Sequence, residues 1–309
     1  MQKCARCKDA PPIFFRPYSG EKLCRKCFTS SIGERVGETI SKYKMFSPND
    51  KIAVAVSGGK DSLSLLHTLA KIEKGFPEAK LVAVTVDEGI SGYRSEAVKI
   101  ASKNCRQLGV KQLTLSFKGL YGHTLDEIVE IAEGSGELTP CSYCGVLRRK
   151  ALNVAAKKLG ASKLATAHNL DDETQTIFLN LIHGDVMRMA RVEPIIEDVV
   201  PGFVQRVKPL SEIPENEIAL YAHLKNIEFQ TKPCPYMHTA MRSDIRNMLN
   251  RLEVRYPGLK FTVLRSVEKI RPILRAAADK AKLRNCAMCG EPTVSEVCKP
   301  CETLQKLGL

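Results

Sequence analysis

Ile52-Ala53-Val54-Ala55-Val56-Ser57-Gly58-Gly59-Lys60-Asp61-Ser62, running on into Leu63-Ser64-Leu65-Leu66, is the stretch that decides the fold. An apolar run of strand length enters a double-glycine turn, and a helical period of apolar residues (Leu63, Leu65, Leu66, Leu69, Ile72) starts directly behind it. Two glycines let the backbone come close to an anion, and a helix start offers unpaired N–H groups at the positive end of its dipole. The turn predicts a phosphate site. Its spacing is neither Gly-x-x-x-x-Gly-Lys-Ser/Thr nor Gly-x-Gly-x-x-Gly, so it is neither a Walker loop nor a dinucleotide loop.

Working outward, the same alternation recurs. Leu81 to Val86 reads as a second strand ending at Asp87, and the helix after it carries Ala97, Ile100, Ala101 and Leu108 before Gly109. Leu113 to Phe117 reads as a third strand and Lys163 to Ala167 as a fourth. Strands alternating with helices predict an α/β fold, a parallel sheet covered on both faces. Further helices are expected over 143–159, 171–183, 214–225, 239–256 and 272–283, with 184–209 irregular. An open parallel sheet places its ligands at the carboxyl ends of its strands. Asp87-Glu88-Gly89 and His168-Asn169-Leu170-Asp171-Asp172 stand there, and the carboxylate pair at the second suits Mg²⁺ on phosphates, although such acids also cap helices.

Among 309 residues, 47 Lys and Arg against 34 Asp and Glu leave a net charge of +13, which points to a polyanionic partner. The stretch from Lys260 to Arg284 alone has eight basic and two acidic residues. A hydrophobic content of 44% excludes disorder as the overall state. No apolar run reaches the ~18–20 residues that span a bilayer. The chain starts on a cysteine pair instead of a signal-peptide pattern, so a cytoplasmic location is expected.

Ten of twelve cysteines form Cys-x-x-Cys pairs, which in a reducing compartment are metal ligands more often than disulfides. Cys4/Cys7 with Cys24/Cys27, and Cys286/Cys289 with Cys298/Cys301, give two sets of four thiolates, each suited to a closed, structural Zn²⁺ site. Cys141/Cys144 has no second pair nearby, and Cys234, stiffened by Pro233 and Pro235, is the candidate third thiolate. Cys105 lies on the inward face of its helix and reads as a buried structural residue. The expected division is a zinc module over 1–30, a catalytic domain over 31–258, a basic helical segment over 259–284 and a second zinc module over 285–309.

The loop Ser57 to Ser62 resembles the pyrophosphate loop of ATP-pyrophosphatases, the PP-loop or adenine nucleotide alpha hydrolase-like enzymes. With Asp87-Glu88-Gly89-Ile90-Ser91-Gly92-Tyr93-Arg94, Leu120-Tyr121-Gly122, Pro140-Cys141-Ser142-Tyr143-Cys144-Gly145 and His168-Asn169-Leu170-Asp171-Asp172, the chain resembles the TtcA/TtuA family of tRNA 2-thiolation enzymes. Gly92-Tyr93-Arg94 and Cys144-Gly145-Val146-Leu147-Arg148-Arg149 are similar to the archaeal and eukaryotic branch that thiolates the wobble uridine. The other branch acts on a T-loop uridine and typically has lysine where Arg148 stands. Arginine does not titrate in proteins, so Arg148 reads as an anion or RNA contact and not as a base.

The resemblance implies ATP bound by Ser57, Gly58, Gly59, Lys60, Asp61, Ser62, Asp87 and His168, with Lys60, Asp61 and Asp172 acting on the triphosphate and Mg²⁺. It implies a [4Fe–4S] cluster on Cys141, Cys144 and Cys234, the alternative being a persulfide relayed by the same cysteines. It further implies tRNA as substrate, a ubiquitin-like carrier or sulfide as sulfur donor, and a homodimer. Two rivals stay open: an amide-forming ATP-pyrophosphatase, and a zinc-ribbon RNA-binding protein with a degenerate ATP site.

Overall fold

The computed structural model describes residues 2–133, 138–195, 201–237, 241–276 and 284–309. β1 (Phe14–Arg16) and β2 (Glu21–Leu23) form an antiparallel hairpin, and α1 (Arg25–Lys42) follows at once. The central sheet takes β3 (Lys51–Ala55), β4 (Lys80–Asp87), β5 (Lys111–Ser116), β6 (Lys163–Ala165) and β7 (Gln205–Val207), all parallel, in the order β5-β4-β3-β6-β7. Strand order reverses between β3 and β6, and that crevice is where an open parallel sheet binds its ligand.

Between the strands run α2 (Lys60–Glu73), α3 (Arg94–Leu108), α4 (Phe117–Tyr121), α5 (Leu125–Ala132), α6 (Pro140–Lys158), α7 (Leu170–Ile182) and α8 (Val186–Met189). After β7 come α9 (Glu215–Leu224), α10 (Arg242–Arg255) and α11 (Leu259–Ala276), then the hairpin β8 (Arg284–Asn285) and β9 (Pro292–Thr293), and α12 (Lys299–Gln305).

The two-residue period of β3 sorts its side chains onto two faces. Ile52 and Val54 join Leu65, Leu66, Ile100, Ile218 and Phe28 in a core shared with α1, α2, α3 and α9. Ala53 faces the other way, where Val82, Val84 and Leu164 meet Ala155 and Ala156 of α6. These small residues let α6 lie close on the sheet, and this sets where its first turn, with Cys141 and Cys144, projects. Cys105 is buried in the first core, as expected, and burial pushes its thiol up to about 11.

The sequence reading missed α1, which starts directly after Cys24 and carries Cys27 in its first turn, so the second knuckle of the amino-terminal module grows into a core helix. It also read β7 as irregular, because a three-residue edge strand of Gln-Arg-Val has almost no periodicity to show. α11 begins at Leu259 and passes through Pro272 instead of starting there, since Leu264 and Val267 already pack against Leu170, Ile177 and Val192. Residues 277–283 and the expected helix start at Thr239 lie outside the described residues. The positive charge expected over 260–284 is also partly internal. Lys260 pairs with Asp171, Arg275 with Glu193, and Arg271 has two buried guanidinium nitrogens, while Arg265 and Lys269 are exposed.

A buried charge network ties the amino-terminal hairpin to α9. Arg16 (2% exposed) donates to Glu217 (1%) at 2.7 Å, Arg35 reaches the same carboxylate at 3.0 Å, and Tyr18 donates its hydroxyl to the other oxygen. Removing one partner of a buried pair strands the other without its counter-charge, at a cost of about 3–5 kcal/mol. Arg16→Met should therefore lower the urea unfolding midpoint markedly, and a midpoint equal to that of the unaltered protein would show that Arg35 alone satisfies Glu217.

Candidate active site

β3 ends at Ala55, and the chain turns through Ser57, Gly58 and Gly59 into α2, with Gly59 as N-cap. Gly58 has φ +91°, and a Cβ on it would lie 2.4 Å from the carbonyl oxygen of Ala97 on α3, so only glycine fits. Ser62 Oγ closes the turn by accepting from Ser57 N at 3.1 Å and donating to Gly59 O at 3.0 Å, while Gly59 N donates to Ser57 Oγ at 3.3 Å. The first N–H groups of a helix have no acceptor within it, so the turn presents donors to an anion.

Lys60 Nζ donates to Asp61 Oδ2 and to Glu215 Oε1, both at 2.8 Å. Burial pushes Asp61 up to about 6 against the pull of Lys60, and its Oδ1 is buried with no hydrogen-bond partner. Asp172 lies close enough to raise Asp61 further, and burial raises Asp172 too. Its Oδ2 accepts from Asn169 N at 3.2 Å in a capping box. The expected Asp171/Asp172 pair does not form. Asp171 turns away into the protein, accepting from Glu215 N at 2.8 Å and from Lys260 Nζ, because adjacent positions on a helix point about 100° apart.

At the end of β4, Asp87 Oδ1 accepts from Gly89 N at 2.9 Å. At the end of β6, Thr166 Oγ1 lies 2.9 Å from His168 Nδ1. His168 is open to solvent on one side and crowded by protein on the others. Desolvation, with Lys208 adding repulsion, pushes it down to about 4, so the ring is neutral at physiological pH. These two strands flank β3, so their carboxyl ends lie on either side of the glycine turn.

Cys141 and Cys144 lie in the first turns of α6, behind the N-cap Thr139. Cys141 Sγ donates to Tyr236 O at 3.3 Å, and Cys144 and Cys234 pack in one apolar cluster with Tyr93 and Tyr236. Burial pushes the Cys144 thiol up to about 11 against the pull of Arg148, and also raises Cys234. Arg148 is half exposed (51%) and reaches the buried Glu88 at 3.5 Å. The loop bearing Cys234 spans both sites. Gln230 N donates to Gly58 O at 3.0 Å, Gln230 Nε2 to Tyr93 O at 2.7 Å, and Lys232 Nζ to Gly92 O at 2.7 Å.

The remaining cysteines form two closed groups, Cys4, Cys7, Cys24, Cys27 and Cys286, Cys289, Cys298, Cys301, each with its four sulfurs within 4.8 Å of one another. A Zn–S bond of ~2.3 Å implies a tetrahedral S···S edge of ~3.8 Å. Cys7 and Cys24 are 3.8 Å apart and Cys289 and Cys298 3.6 Å. In both groups the third cysteine's N–H donates to the first cysteine's sulfur, at 3.3 Å and 3.2 Å. Cys141, Cys144 and Cys234 are not among the closed groups.

The PP-loop domain family matches residues 29–253. Over 298 residues the chain is 39% identical to a probable sulfurtransferase of Methanocaldococcus jannaschii, covering 96% of this chain and 85% of that protein. Over 311 residues it is 38% identical to cytoplasmic tRNA 2-thiolation protein 1 of Chlamydomonas reinhardtii, covering 99% and 85%. The chain belongs to the tRNA 2-thiolation branch of the PP-loop family. The U34-tRNA thiolase NcsA from Methanococcus maripaludis, solved with its [4Fe–4S] cluster, superimposes with a TM-score of 0.86 at 35% identity, covering 100% of this chain and 97% of that one.

Within this PP-loop chain two site residues escaped the sequence reading. Glu215, the second partner of Lys60, lies 155 residues away from it in sequence, in a helix with no motif. Arg94 (4% exposed) bonds Val86 O and Ser57 O, so it clasps the end of β4 to the PP-loop. Its place behind Gly92-Tyr93 was the available signal, but the sequence read that stretch only as a resemblance.

Proposed function

We propose that this protein uses ATP to convert the wobble uridine of tRNA to 2-thiouridine, in the cytoplasm. The observation that carries the reading is the 230–236 loop, which bonds the PP-loop at Gly58 at one end and presents Cys234 opposite Cys141 and Cys144 at the other. This link supports the reading, because an enzyme that adenylates a base and then delivers sulfur to it needs the two places joined, and an amide-forming enzyme or a plain RNA binder does not.

The PP-loop N–H groups and Lys60 hold the triphosphate, and Lys60 opposes charge developing on the α-phosphate as the O2 oxygen of the uridine attacks it. A bond forms from O2 to phosphorus, and pyrophosphate leaves. Sulfur then attacks C2, the C2–O2 bond breaks, and AMP departs with the oxygen. Asp61 and Asp172 suit Mg²⁺, because Asp61 Oδ1 is a buried oxygen without a partner. Asp87 and neutral His168 line the nucleotide side of the same strand ends. Cys141, Cys144 and Cys234 offer three soft sulfurs, one fewer than the usual ligand set of a [4Fe–4S] cluster, which would supply an open iron for sulfide. The two Cys4 groups suit structural Zn²⁺, and Lys150 Nζ, 3.4 Å from Cys301 Sγ, offsets part of the excess negative charge of four thiolates on a divalent ion.

Anaerobically reconstituted protein given ATP, sulfide and tRNA should make AMP and 2-thiouridine one for one. AMP formation without thiolated tRNA would overturn the sulfur half of the reading. Binding to tRNA should weaken steeply with salt, because each phosphate contact releases counterions. Charge reversal at the exposed Arg265 and Lys269 should weaken it further. An affinity unaffected by salt and by both substitutions would mean that the positive charge serves only solubility.

A further inference from the structure

A cavity of about 390 Å³ lies on one flank of α6, between that helix, residues 203–206 and the carboxyl-terminal Cys4 module. Val146, Phe203, Pro292 and Pro300 give it apolar walls, and Arg149 and Arg206 stand on its rim. The cavity is built into the fold. Asn153, 1% exposed, accepts from Val204 N at 2.9 Å and donates to Gly202 O and Glu291 Oε2, both at 3.2 Å, stapling three chain segments together. Gly202 has φ +90°, and a Cβ on it would lie 2.5 Å from Pro292, so the segment presses against the module at the one residue type that allows it.

Glu291, the carboxylate of the lining, is bonded by Lys157 at 2.9 Å and by Asn153, not by the rim arginines. Arg206 donates to the carbonyl of Arg149, and no carboxylate among the described residues bonds either guanidinium. Desolvation, with the neighbouring Arg149 adding repulsion, pushes Arg206 down to about 10. Arg149 NH1 lies over Gly145, 3.5 Å from where a Cβ would be, so it reaches back toward Cys144. Phe203 leaves 41% of its surface exposed at the cavity.

A ligand complementary to this place combines a flat apolar group with an anion next to it, and has to continue toward Cys144. Resting on the RNA-modifying reading above, we propose that the cavity holds the base of a nucleotide adjacent to the target uridine, stacked on Phe203, with the intervening phosphate on Arg149 and Arg206. The carboxyl-terminal module thus forms one wall of a nucleotide pocket, and it selects RNA in which that neighbour can unstack.

The test is equilibrium binding of an anticodon stem-loop RNA in which each nucleotide beside the wobble uridine is made abasic in turn. One of the two should bind about tenfold more weakly, within the range for a base stacked on an aromatic ring. Phe203→Ala should weaken the intact RNA by a similar factor and abolish the difference between intact and abasic RNA. Arg206→Met should weaken both equally and reduce the salt slope by about one. Equal affinity of both abasic RNAs and the intact one overturns the pocket, as does an abasic penalty that survives Phe203→Ala, which would make Phe203 merely structural. Tight RNA binding with the pocket variants inert would mean that it takes something else, such as a peptide of the sulfur carrier. Absence of any RNA binding at moderate salt would instead overturn the thiolation reading itself.

Discussion

Lys60→Ala should slow tRNA-dependent AMP formation by at least about a hundredfold, the loss usual when a group opposing charge in the transition state is removed. The ammonium is held between Asp61 and Glu215 at 2.8 Å from each, at the mouth of the glycine turn. Nothing else in the first turn of α2 is a cation. Asp61→Asn should give a loss of similar size, since its unpartnered Oδ1 is the oxygen best placed for Mg²⁺. Affinity for tRNA should be unchanged in both variants, because the basic surface is elsewhere. An AMP rate equal to that of the unaltered protein in either variant would move adenylation out of the PP-loop.

The second large effect is expected at the three cysteines outside the Cys4 groups. With eight thiolates in those groups and Cys105 buried in the core, Cys141, Cys144 and Cys234 are the ones left. Anaerobic protein should contain about four iron and two zinc per chain. Substituting alanine for Cys141, Cys144 or Cys234 should remove iron and abolish thiolation while zinc stays. Cys234→Ala is the most telling of these, because it leaves α6 intact. If iron-free protein supplied with a persulfide donor thiolates at full rate, the cysteines carry sulfur themselves and the cluster has no part in the reaction.

The parallel sheet and the PP-loop were legible in the sequence because their signals are local. A buried strand, two glycines and a helical period fall within twenty or so consecutive residues, and Gly58 proves to be the position where backbone meets backbone. The Cys4 groups were legible for a similar reason, since Cys-x-x-Cys brings two ligands together within one knuckle. What stayed hidden depends on pairings across the chain. Asp171 and Asp172 look equivalent in sequence, and only Lys260, 89 residues away from Asp171, draws one of them inward. Glu215 became a partner of Lys60 through the packing of α9 on α2, which no local pattern encodes. Arg148 and Arg149 are adjacent in sequence, but adjacent helix positions point about 100° apart, so Arg148 faces Glu88 and Arg149 the rim of the cavity beside the carboxyl-terminal Cys4 module.

Mapping 2-thiouridine decides which uridine is modified, both in tRNA incubated with the purified, anaerobic protein, ATP and sulfide, and in tRNA from cells lacking its gene. Sulfur should appear at the wobble position in the first and be missing there in the second. Thiolation of a T-loop uridine, with the wobble uridine unmodified in the first and still thiolated in the second, would overturn the proposed function.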